Sequence, residues 1–283
     1  MLDLALELYR FGGFSTGTHV DFDSSVWDAC RWGQLEKLES LVQSHRHLLD
    51  EPNPNDHTLR TPLHVAVAFG HVAVVEFLVQ SGSKALDVHN ELGRTPLHDA
   101  ALFGNEVMMD TLFALGSKSI DALDNLHHSP LMFAIRYNHA NIIEKLICFG
   151  SKSINTPSVG GRTPMRMAAS NGCTNALESL VRLGSNELDT QSFLEVPPLR
   201  EAAYNRHRET TCILLSLGHS CDNFHSDFFT SDFIRSCKEE VTEDYAGEVR
   251  YRVWFSRSLV ARLLFELQSF DYSCGAHRRI RDL

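Results

Sequence analysis

The sequence predicts an α-helical solenoid, in which two-helix repeats stack side by side between atypical repeats at the two ends. Two independent marks with one period predict this fold. A Thr-Pro or Ser-Pro dipeptide starts a repeat every 34 residues, at Thr61, Thr95, Ser129 and Thr163, and Pro197-Pro198 continues the series. A glycine keeps the same step, at Gly82, Gly116, Gly150, Gly184 and Gly218. A fixed period of 20–50 residues indicates an array of stacked supersecondary units.

The first helix of each repeat is predicted to begin at the Thr-Pro dipeptide, because the hydroxyl can cap free backbone N–H groups and proline suits the first helical position. Gly70, Gly104 and Gly172 are predicted to end this helix in the left-handed conformation, with Asn138 as a substitute, whereas Arg206 departs from the rule. A small residue four positions after the proline would let a neighbouring helix approach closely; these residues are Ala66, Ala100, Ala134, Ala168 and Ala202, with Ala29 upstream.

A second helix follows in each repeat. Apolar residues in the first of these helices, such as Val74, Val75 and Leu78, are too many for one narrow stripe, which favours a helix between neighbouring repeats. The polar segment after it contains Gly, Asn and Asp and predicts a turn or hairpin. The predicted second helices are Val72–Gln80, Glu106–Leu115, Asn141–Phe149, Asn175–Leu183 and Glu209–Leu217.

These features resemble the ankyrin repeat family, whose signature T-P-L-H-x-A appears at residues 61–66 and 95–100. The resemblance covers about residues 23–222, with five repeats at 61–222, and implies a β-hairpin and two antiparallel helices per repeat. One feature departs from the family. The links Gly-Ser-Lys-Ala-Leu-Asp (82–87), Gly-Ser-Lys-Ser-Ile-Asp (116–121) and Gly-Ser-Lys-Ser-Ile-Asn (150–155) are one residue longer than the commoner form.

The two ends are predicted to cover the exposed apolar faces of the array, as solenoids require. Residues 23–60 are interpreted as an N-terminal capping repeat with its link, and residues 223–283 as a degenerate repeat with a capping helix at Val249–Phe270. A docking helix for a partner is the alternative for Val249–Phe270. A ubiquitin-ligase adaptor box matches poorly, because Cys274 lies after the helix and no proline follows Pro198. The N-terminal extension, residues 1–22, fits either a strand or a helix.

The composition narrows the function. The chain has 283 residues and a net charge of −10, which disfavours an extended surface for nucleic acid. We expect neither a transmembrane helix nor a signal peptide, since Asp3 and Glu7 interrupt the apolar start. The seven cysteines are odd in number and contain no C-x-x-C, which indicates reduced thiols in the cytoplasm or the nucleus. We expect a monomer.

Catalytic chemistry is not indicated. His64 and His98 lie in the T-P-L-H motif, where the resemblance implies a structural role. His127-His128, His45 and His47 have no third ligand at a suitable spacing for zinc. Common nucleotide, hydrolase and protease motifs are absent from the sequence. We therefore expect no cofactor, no metal and no enzyme; an enzyme subunit with its chemistry in the termini is the less favoured alternative.

The resemblance implies a protein-binding scaffold whose partner occupies the concave face formed by first-helix ends and hairpin tips. One column of that face is predicted to contain Trp32, Phe69, Phe103, Tyr137, Asn171 and Asn205, with Arg31, Leu102, Arg136 and Tyr204 one residue earlier. The predicted tip residues are Glu91, Arg94, Asn125, His128 and Arg162. Aromatic and arginine side chains dominate protein-binding hot spots. A substrate adaptor of a larger complex, such as a ubiquitin ligase, is the alternative function.

Overall fold

The computed structural model describes residues 24–185, 197–217, 233, 234, 236 and 237. The predicted alternation of first and second helices is confirmed over these ranges. The α-helices there are α1 (Ser24–Arg31), α2 (Leu35–Ser44), α3 (Pro62–Phe69), α4 (Val72–Gln80), α5 (Pro96–Phe103), α6 (Glu106–Ala114), α7 (Pro130–Arg136), α8 (Ala140–Cys148), α9 (Pro164–Asn171), α10 (Thr174–Arg182), α11 (Pro198–Tyr204) and α12 (Arg208–Ser216).

The helix ends follow the sequence closely. The second helix α4 has the predicted bounds, and the other four second helices end one residue earlier than predicted. Gly70, Gly104 and Gly172 end their helices with φ of +80°, +66° and +69°, and Asn138 adopts +59°, as predicted. Arg206 also adopts φ +59°, so the repeat keeps its left-handed helix end although the side chain disfavours it.

The alanine position is the centre of the packing. All six alanines are 0% exposed, which confirms the predicted close approach of the first helices.

The described chain forms two compact units, of which the first contains residues 24–137 and 148–153 and the second contains the others. In the first unit α1 packs on α3, α3 on α5, and α5 on α7. In the second unit α9 packs on α11, and α10 packs on α12.

The links differ from the hairpins that the family resemblance implied. No β-strand occurs in residues 24–185 or 197–217. The described links instead form turns closed by pairs of backbone hydrogen bonds. In one, the Asn90 N–H donates to the Arg94 carbonyl and the Gly93 N–H to the Asn90 carbonyl, both at 2.9 Å. In the next, the Asp124 N–H donates to the His128 carbonyl at 3.0 Å and the His127 N–H to the Asp124 carbonyl at 2.9 Å. Neighbouring turns also share single backbone hydrogen bonds, from the Glu91 N–H to the Thr58 carbonyl at 2.9 Å and from the Asn125 N–H to the Leu92 carbonyl at 3.0 Å. Side-chain oxygens of Asn90 and Asp124 accept further N–H groups of the turns.

The structure describes only part of the two predicted end regions. Helices α1 and α2 form the two-helix pair predicted before the first T-P-L-H motif, and Val26 and Trp27 are buried there. Of the degenerate repeat, residues 233, 234, 236 and 237 are helical, and the Cys212 thiol lies 3.9 Å from the Cys237 carbonyl. Gly218, Val249–Phe270 and residues 1–22 lie outside the described residues.

Candidate functional site

One row of side chains follows the ends of the first helices in the first unit. Because the small alanines pack α1, α3, α5 and α7 side by side, equivalent positions at their C-terminal ends align. Trp32, after α1, is 63% exposed, and Phe69, Phe103 and Tyr137 are half-buried. Aromatic rings of four successive repeats are therefore at least partly exposed along this edge.

Basic side chains adjoin the aromatic row. Arg31 is buried, and its guanidinium carbon lies 5.6 Å from the centroid of the Phe69 ring, within the range of a cation–π contact. Arg136 is exposed at the end of α7. The buried Arg31 therefore does not have the exposure predicted for a contact residue. We call the accessible residues of this row in the first unit the helix-end surface: Trp32, Phe69, Phe103, Arg136 and Tyr137.

Leu102 does not have the exposure that we predicted for a contact residue. Its side chain is 2% exposed, because α5 packs between α3 and α7 and this position faces the helix interface. Counting along the sequence could not reveal this, since Arg136 occupies the equivalent position and is exposed. Leu102 therefore packs within the structure and is no longer a candidate for direct contact.

The predicted tip residues of the first unit lie on turns that side chains brace. The Oδ1 of Asn90 accepts the N–H groups of Leu92 and Arg94 at 2.9 and 3.0 Å. Neighbouring turns are joined, because the Nδ2 of Asn125 donates to the Glu91 carbonyl at 2.8 Å. Glu91 and Asn125 are exposed, so they remain accessible candidates on an ordered edge.

Arg94 and His128 are only partly exposed, unlike the exposed tip residues Glu91 and Asn125. The Arg94 guanidinium lies 4.6 Å from the Phe133 ring centroid, and the His128 ring meets Phe133 edge-on at 5.9 Å. Asp124 lies beside both, with 3.5 Å between its Oδ2 and the Nδ1 of His128. Burial opposes ionisation of Asp124, but hydrogen bonds from His128 and the Leu126 N–H outweigh it and lower the pKa of this carboxyl. This cluster braces the turn.

In the second unit the predicted residues are mostly polar and exposed. Tyr204 is 71% exposed at the end of α11, and Arg162 and Asn171 are exposed. Asn205 is exposed but engaged, because its Nδ2 donates to the Ser170 carbonyl at 3.1 Å. Tyr204 is thus the aromatic candidate of this unit among the predicted residues.

The T-P-L-H histidines have the structural role that the resemblance implied, and the structure shows that each also bonds its repeat to the next. The Nε2 of His64 donates to the Arg94 carbonyl at 3.0 Å, and the Nε2 of His98 donates to the His128 carbonyl at 3.1 Å. The Nδ1 of His98 accepts the N–H of Thr95 at 3.0 Å, so the ring is neutral. Burial lowers the pKa of His64 and of His98 to about 4. The nitrogens of both rings thus form hydrogen bonds within the protein.

Sequence reasoning missed a second set of contacts between repeats. Asp50, Asp87 and Asp121 each accept a serine hydroxyl and a lysine N–H from the following link, with hydroxyl distances of 2.6, 2.7 and 2.6 Å to Ser83, Ser117 and Ser151. The signal was present in the Gly-Ser-Lys-x-x-Asp links. It could not be interpreted, because the partners lie 30–33 residues apart.

The described residues offer no assembled site for a metal. Nowhere within residues 24–185 and 197–217 do three His, Cys, Asp or Glu side chains form a group that could hold an ion. His45 and His47 lie with ring centroids 6.2 Å apart and gain no third ligand in that region. In the same part of the chain, no helix is long and apolar enough to cross a membrane.

Comparison with known proteins agrees with the repeat pattern. A family model described as ankyrin repeats (3 copies) matches residues 26–124, 84–156, 109–192 and 131–225. The human ankyrin repeat domain-containing protein 39 is 35% identical over 65 residues, which are 23% of this chain and 33% of that protein. The match to this curated relative therefore spans about a third of its length.

Proposed function

This chain belongs to the ankyrin repeat family, and from that premise we propose that it is a non-catalytic scaffold that binds a partner protein on its helix-end surface. Ankyrin repeats are generally protein–protein interaction modules, because stacked repeats offer an extended surface made of equivalent positions. First-helix ends line the concave, partner-binding face in this family; the helix-end surface is the proposed part of that face in the first unit, and Tyr204 is the corresponding candidate in the second unit. A single protein molecule presenting that face is the proposed active form, and its proposed compartment is the cytoplasm or the nucleus.

The observation that carries the proposal is the exposure of large aromatic side chains, and of an arginine, at the ends of first helices. Trp32 and Tyr204 are 63% and 71% exposed, and Arg136 is exposed next to the half-buried Tyr137. Leaving an indole in water forgoes the gain from its burial, which is roughly 2–3 kcal/mol for a large apolar side chain. Such residues form the centres of binding interfaces, where they are desolvated by the partner.

The exposed tip residues extend the proposed contact. Glu91 and Asn125 are proposed to form a polar rim beside the helix-end surface of the first unit, as found in many interfaces, and Arg162 is the exposed tip candidate of the second unit. Leu126 and Val159, which the sequence analysis did not select, are 57% and 58% exposed on the same turns. They add apolar area to the proposed tip contacts.

We propose further that the two ends cap the array. Trp27 at 2% and Leu49 at 4% exposure support this for residues 23–60, because this helix pair contributes its own buried apolar side chains. Ile234 and Cys237, at 3% and 0%, support a packed degenerate repeat after α12. Val249–Phe270 is proposed as the C-terminal capping helix from its apolar spacing. If this helix instead docks another protein, the function becomes that of a substrate adaptor.

A binding experiment tests the proposal. A partner captured by the full chain is measured against Arg136→Ala and Tyr137→Ala, each of which is expected to weaken binding by about 2 kcal/mol, or roughly 30-fold. Glu76→Ala is the control, because Glu76 is exposed in the middle of the second helix α4, which contains none of the predicted contact residues. Affinity is measured per folded molecule, so that a loss of stability in Tyr137→Ala is counted separately.

Three results would contradict the proposed binding surface or the proposed function. Unchanged affinity in both variants would move the partner to another face, and Glu91 and Asn125 would be substituted next. A partner that binds the full chain but not residues 1–222, with Arg136→Ala unaffected, would favour the adaptor through Val249–Phe270. Turnover of a substrate by the purified chain without a partner would favour the enzyme-subunit alternative.

A further inference from the structure

We propose that the groove between the second helices α2 and α4 is a second binding surface, which accepts one amphipathic helix of a partner protein. The partner helix has an acidic residue near its start, a basic residue seven positions later and a large apolar residue between them. None of the residues that line this groove belongs to a first helix. The inference therefore goes beyond the proposed function, which concerns the helix-end surface.

An open cavity of about 390 Å³ lies between α2 and α4, within the range of roughly 300–1,000 Å³ that ligand pockets occupy. The side chains of Val42, which is buried, and of Phe77, which is half-buried, give it an apolar wall. Its lining on one side is spaced i, i+3, i+4 and i+7, so these residues share one face of α2 and of the turn that follows it. The complete lining is Glu39, Val42, Gln43, Arg46, Phe77 and Ser81.

Arg46 lies at one end of the cavity and is held in place. Its Nη2 donates to the Ser81 carbonyl at 3.1 Å, where α4 ends. Gly82 leaves room for the guanidinium, because a Cβ at that position would lie 3.3 Å from the same Nη2. Arg46 is exposed, and within the described part of the chain its guanidinium bonds to the Ser81 carbonyl alone. Its other N–H groups are therefore available to a carboxylate of a ligand.

Glu39 lies at the opposite end of the cavity. Seven residues separate it from Arg46, which corresponds to about 10 Å at the helical rise per residue. Glu39 is exposed, and no side chain of the described residues forms an ion pair with its carboxylate. Asp50, four residues after Arg46, instead accepts the Ser83 hydroxyl and the Lys84 N–H, so its oxygens are directed to that link. The cavity thus has one anionic end and one cationic end, with apolar surface between them.

A helix of a partner protein matches this arrangement. The helices α2 and α4 pack side by side, and an amphipathic helix commonly binds in such a groove. Opposite charges seven residues apart on a helix lie on one face and about 10 Å apart, which equals the separation of Arg46 and Glu39 along α2. An apolar residue three positions after the acidic residue would lie over Val42 and Phe77. It would enter the cavity between the two charged ends.

The helix dipoles favour one direction of binding. The helix α2 ends at Ser44 and α4 ends at Gln80, so the negative C-terminal ends of both helices lie near Arg46. The positive N-terminal end of a partner helix is attracted to that place. An acidic residue in the first turn and a basic residue near the last turn also stabilise the partner helix itself. The acidic residue is therefore expected to meet Arg46, and the later basic residue is expected to meet Glu39.

Fluorescence anisotropy with a designed peptide tests the groove. The probe is a labelled, alanine-rich helical peptide in which leucine follows glutamate by three positions and lysine follows leucine by four. The matched peptide exchanges the glutamate and the lysine, so it has the same composition. The full chain is expected to bind the first peptide at least 10-fold more tightly, because the second brings like charges together. Equal affinities, or no binding up to about 1 mM peptide, overturn the proposal.

Exchanging the two charges on the protein supplies the decisive control. Glu39→Lys combined with Arg46→Glu is expected to reverse the order of the two peptides, which separates binding in the groove from any difference in peptide helicity. Lys118→Glu combined with Glu209→Lys makes the same exchange at two exposed residues outside the cavity and is expected to keep the wild-type order. An order that survives the first double substitution overturns the proposal.

Two single substitutions keep the test valid if the double variant does not fold. Glu39→Lys retains the bond from Arg46 to Ser81 and is expected to weaken binding of the first peptide at least 5-fold. Gln43→Trp fills the cavity from an exposed position and is expected to weaken binding of the same peptide at least 10-fold. Circular dichroism checks that each variant is folded. Unchanged affinity in either folded variant overturns the proposal.

Sedimentation of the wild-type chain tests for a different occupant of the groove. A dimer that dissociates in Glu39→Lys would mean that a second copy fills the groove, which overturns the partner-helix proposal. A chain that sediments as a monomer, and that binds the first peptide in a one-to-one ratio, is the expected result.

The groove and the helix-end surface are tested separately. Arg136→Ala and Tyr137→Ala are expected to leave the affinity for the peptide unchanged. If these variants lose a captured partner while neither peptide binds, the proposed function stands and the groove proposal is wrong. If the peptides bind in the expected order while the captured partner is unaffected by either variant, the groove stands and the helix-end surface is wrong.

Discussion

Asp87 binds the following link through Ser117, whose hydroxyl donates to the Asp87 Oδ1 at 2.7 Å across 30 residues of chain. The same carboxylate accepts the N–H of Lys118, with both oxygens at 3.1 Å. Two donors of this kind, a serine hydroxyl and a lysine N–H, occur in each of the three links that follow Asp50, Asp87 and Asp121. The lengthened link is therefore one of the places where a repeat is bonded to the next. In the second unit Asn155 takes the place of the aspartate and its Oδ1 accepts the Ser185 hydroxyl at 3.0 Å.

Removing one of these carboxylates is expected to destabilise the array. Asp87→Ala leaves the Ser117 hydroxyl and the Lys118 N–H without their acceptor, which costs about 1–3 kcal/mol of unfolding free energy. Asp87→Asn is expected to cost less, because Asn155 shows that an amide oxygen can accept the serine. Urea unfolding measures both, and Glu76→Ala, an exposed helical position, is the control with a change within about 0.5 kcal/mol. An Asp87→Ala variant as stable as the control would contradict this role.

Mild acid is expected to weaken the fold through His64 and His98. Each has a pKa of about 4 when folded and about 6.5 when unfolded, so only the unfolded state takes up the proton as the pH falls through this window. The stabilisation is complete above pH 6.5 and is lost between pH 6.5 and 4. By linkage, each ring contributes a loss of roughly 1–2 kcal/mol between pH 7.5 and pH 5.

The control for the acid effect comes from the third repeat, where Met132 takes the histidine position and is 1% exposed. His98→Met is expected to lower stability at pH 7.5, because the bond to the His128 carbonyl is lost, but to flatten the dependence on pH between 7.5 and 5. Urea unfolding at the two pH values gives both quantities. A variant with the same slope as the wild-type chain would show that other groups cause the acid effect.

The left-handed helix ends predict opposite outcomes for two substitutions. Gly172→Ala places a Cβ 2.6 Å from the Nδ1 of His207 at φ +69°, which is expected to cost about 1–2 kcal/mol or more. Arg206→Gly relieves a residue at φ +59° and is expected to stabilise the fold by up to about 1 kcal/mol. Thermal unfolding followed by circular dichroism measures the two shifts. Shifts of the same sign would contradict the assignment.

Overpacking at the alanine position is expected to be costly. Ala134 is 0% exposed on α7, and α5 packs against that helix, so Ala134→Leu has no space for three additional carbons. The expected loss is about 1–3 kcal/mol. A leucine variant with an unchanged melting temperature would contradict the register of the repeats.

Deleting residues 223–283 tests the C-terminal cap. Ile234 and Cys237 are buried and are removed in this variant, so newly exposed apolar surface is expected to lower the melting temperature or to cause aggregation. Light scattering and calorimetry on the full and shortened chains measure this. Equal solubility and stability would instead favour a docking role for the C-terminal segment.

The sequence by itself determined the parts that depend on neighbours along the chain. Helix starts at Thr-Pro, left-handed ends at Gly70 and Gly104, and the alanine spacing are local signals, because caps and turns involve residues within one helical turn of each other. The repetition of these signals every 34 residues was sufficient to predict a solenoid of stacked repeats.

Only the tertiary structure revealed which side chains form hydrogen bonds between repeats and which are buried there. The bonds from Asp87 to Ser117 and from Arg166 to Glu201 join residues 30 and 35 positions apart, and their geometry exists only after the helices stack. Stacking also buried Leu102 while it left Arg136 exposed at the equivalent position. A repeat pattern assigns both residues the same place, but each side chain's exposure depends on the neighbours that pack against it, and these differ from one repeat to the next.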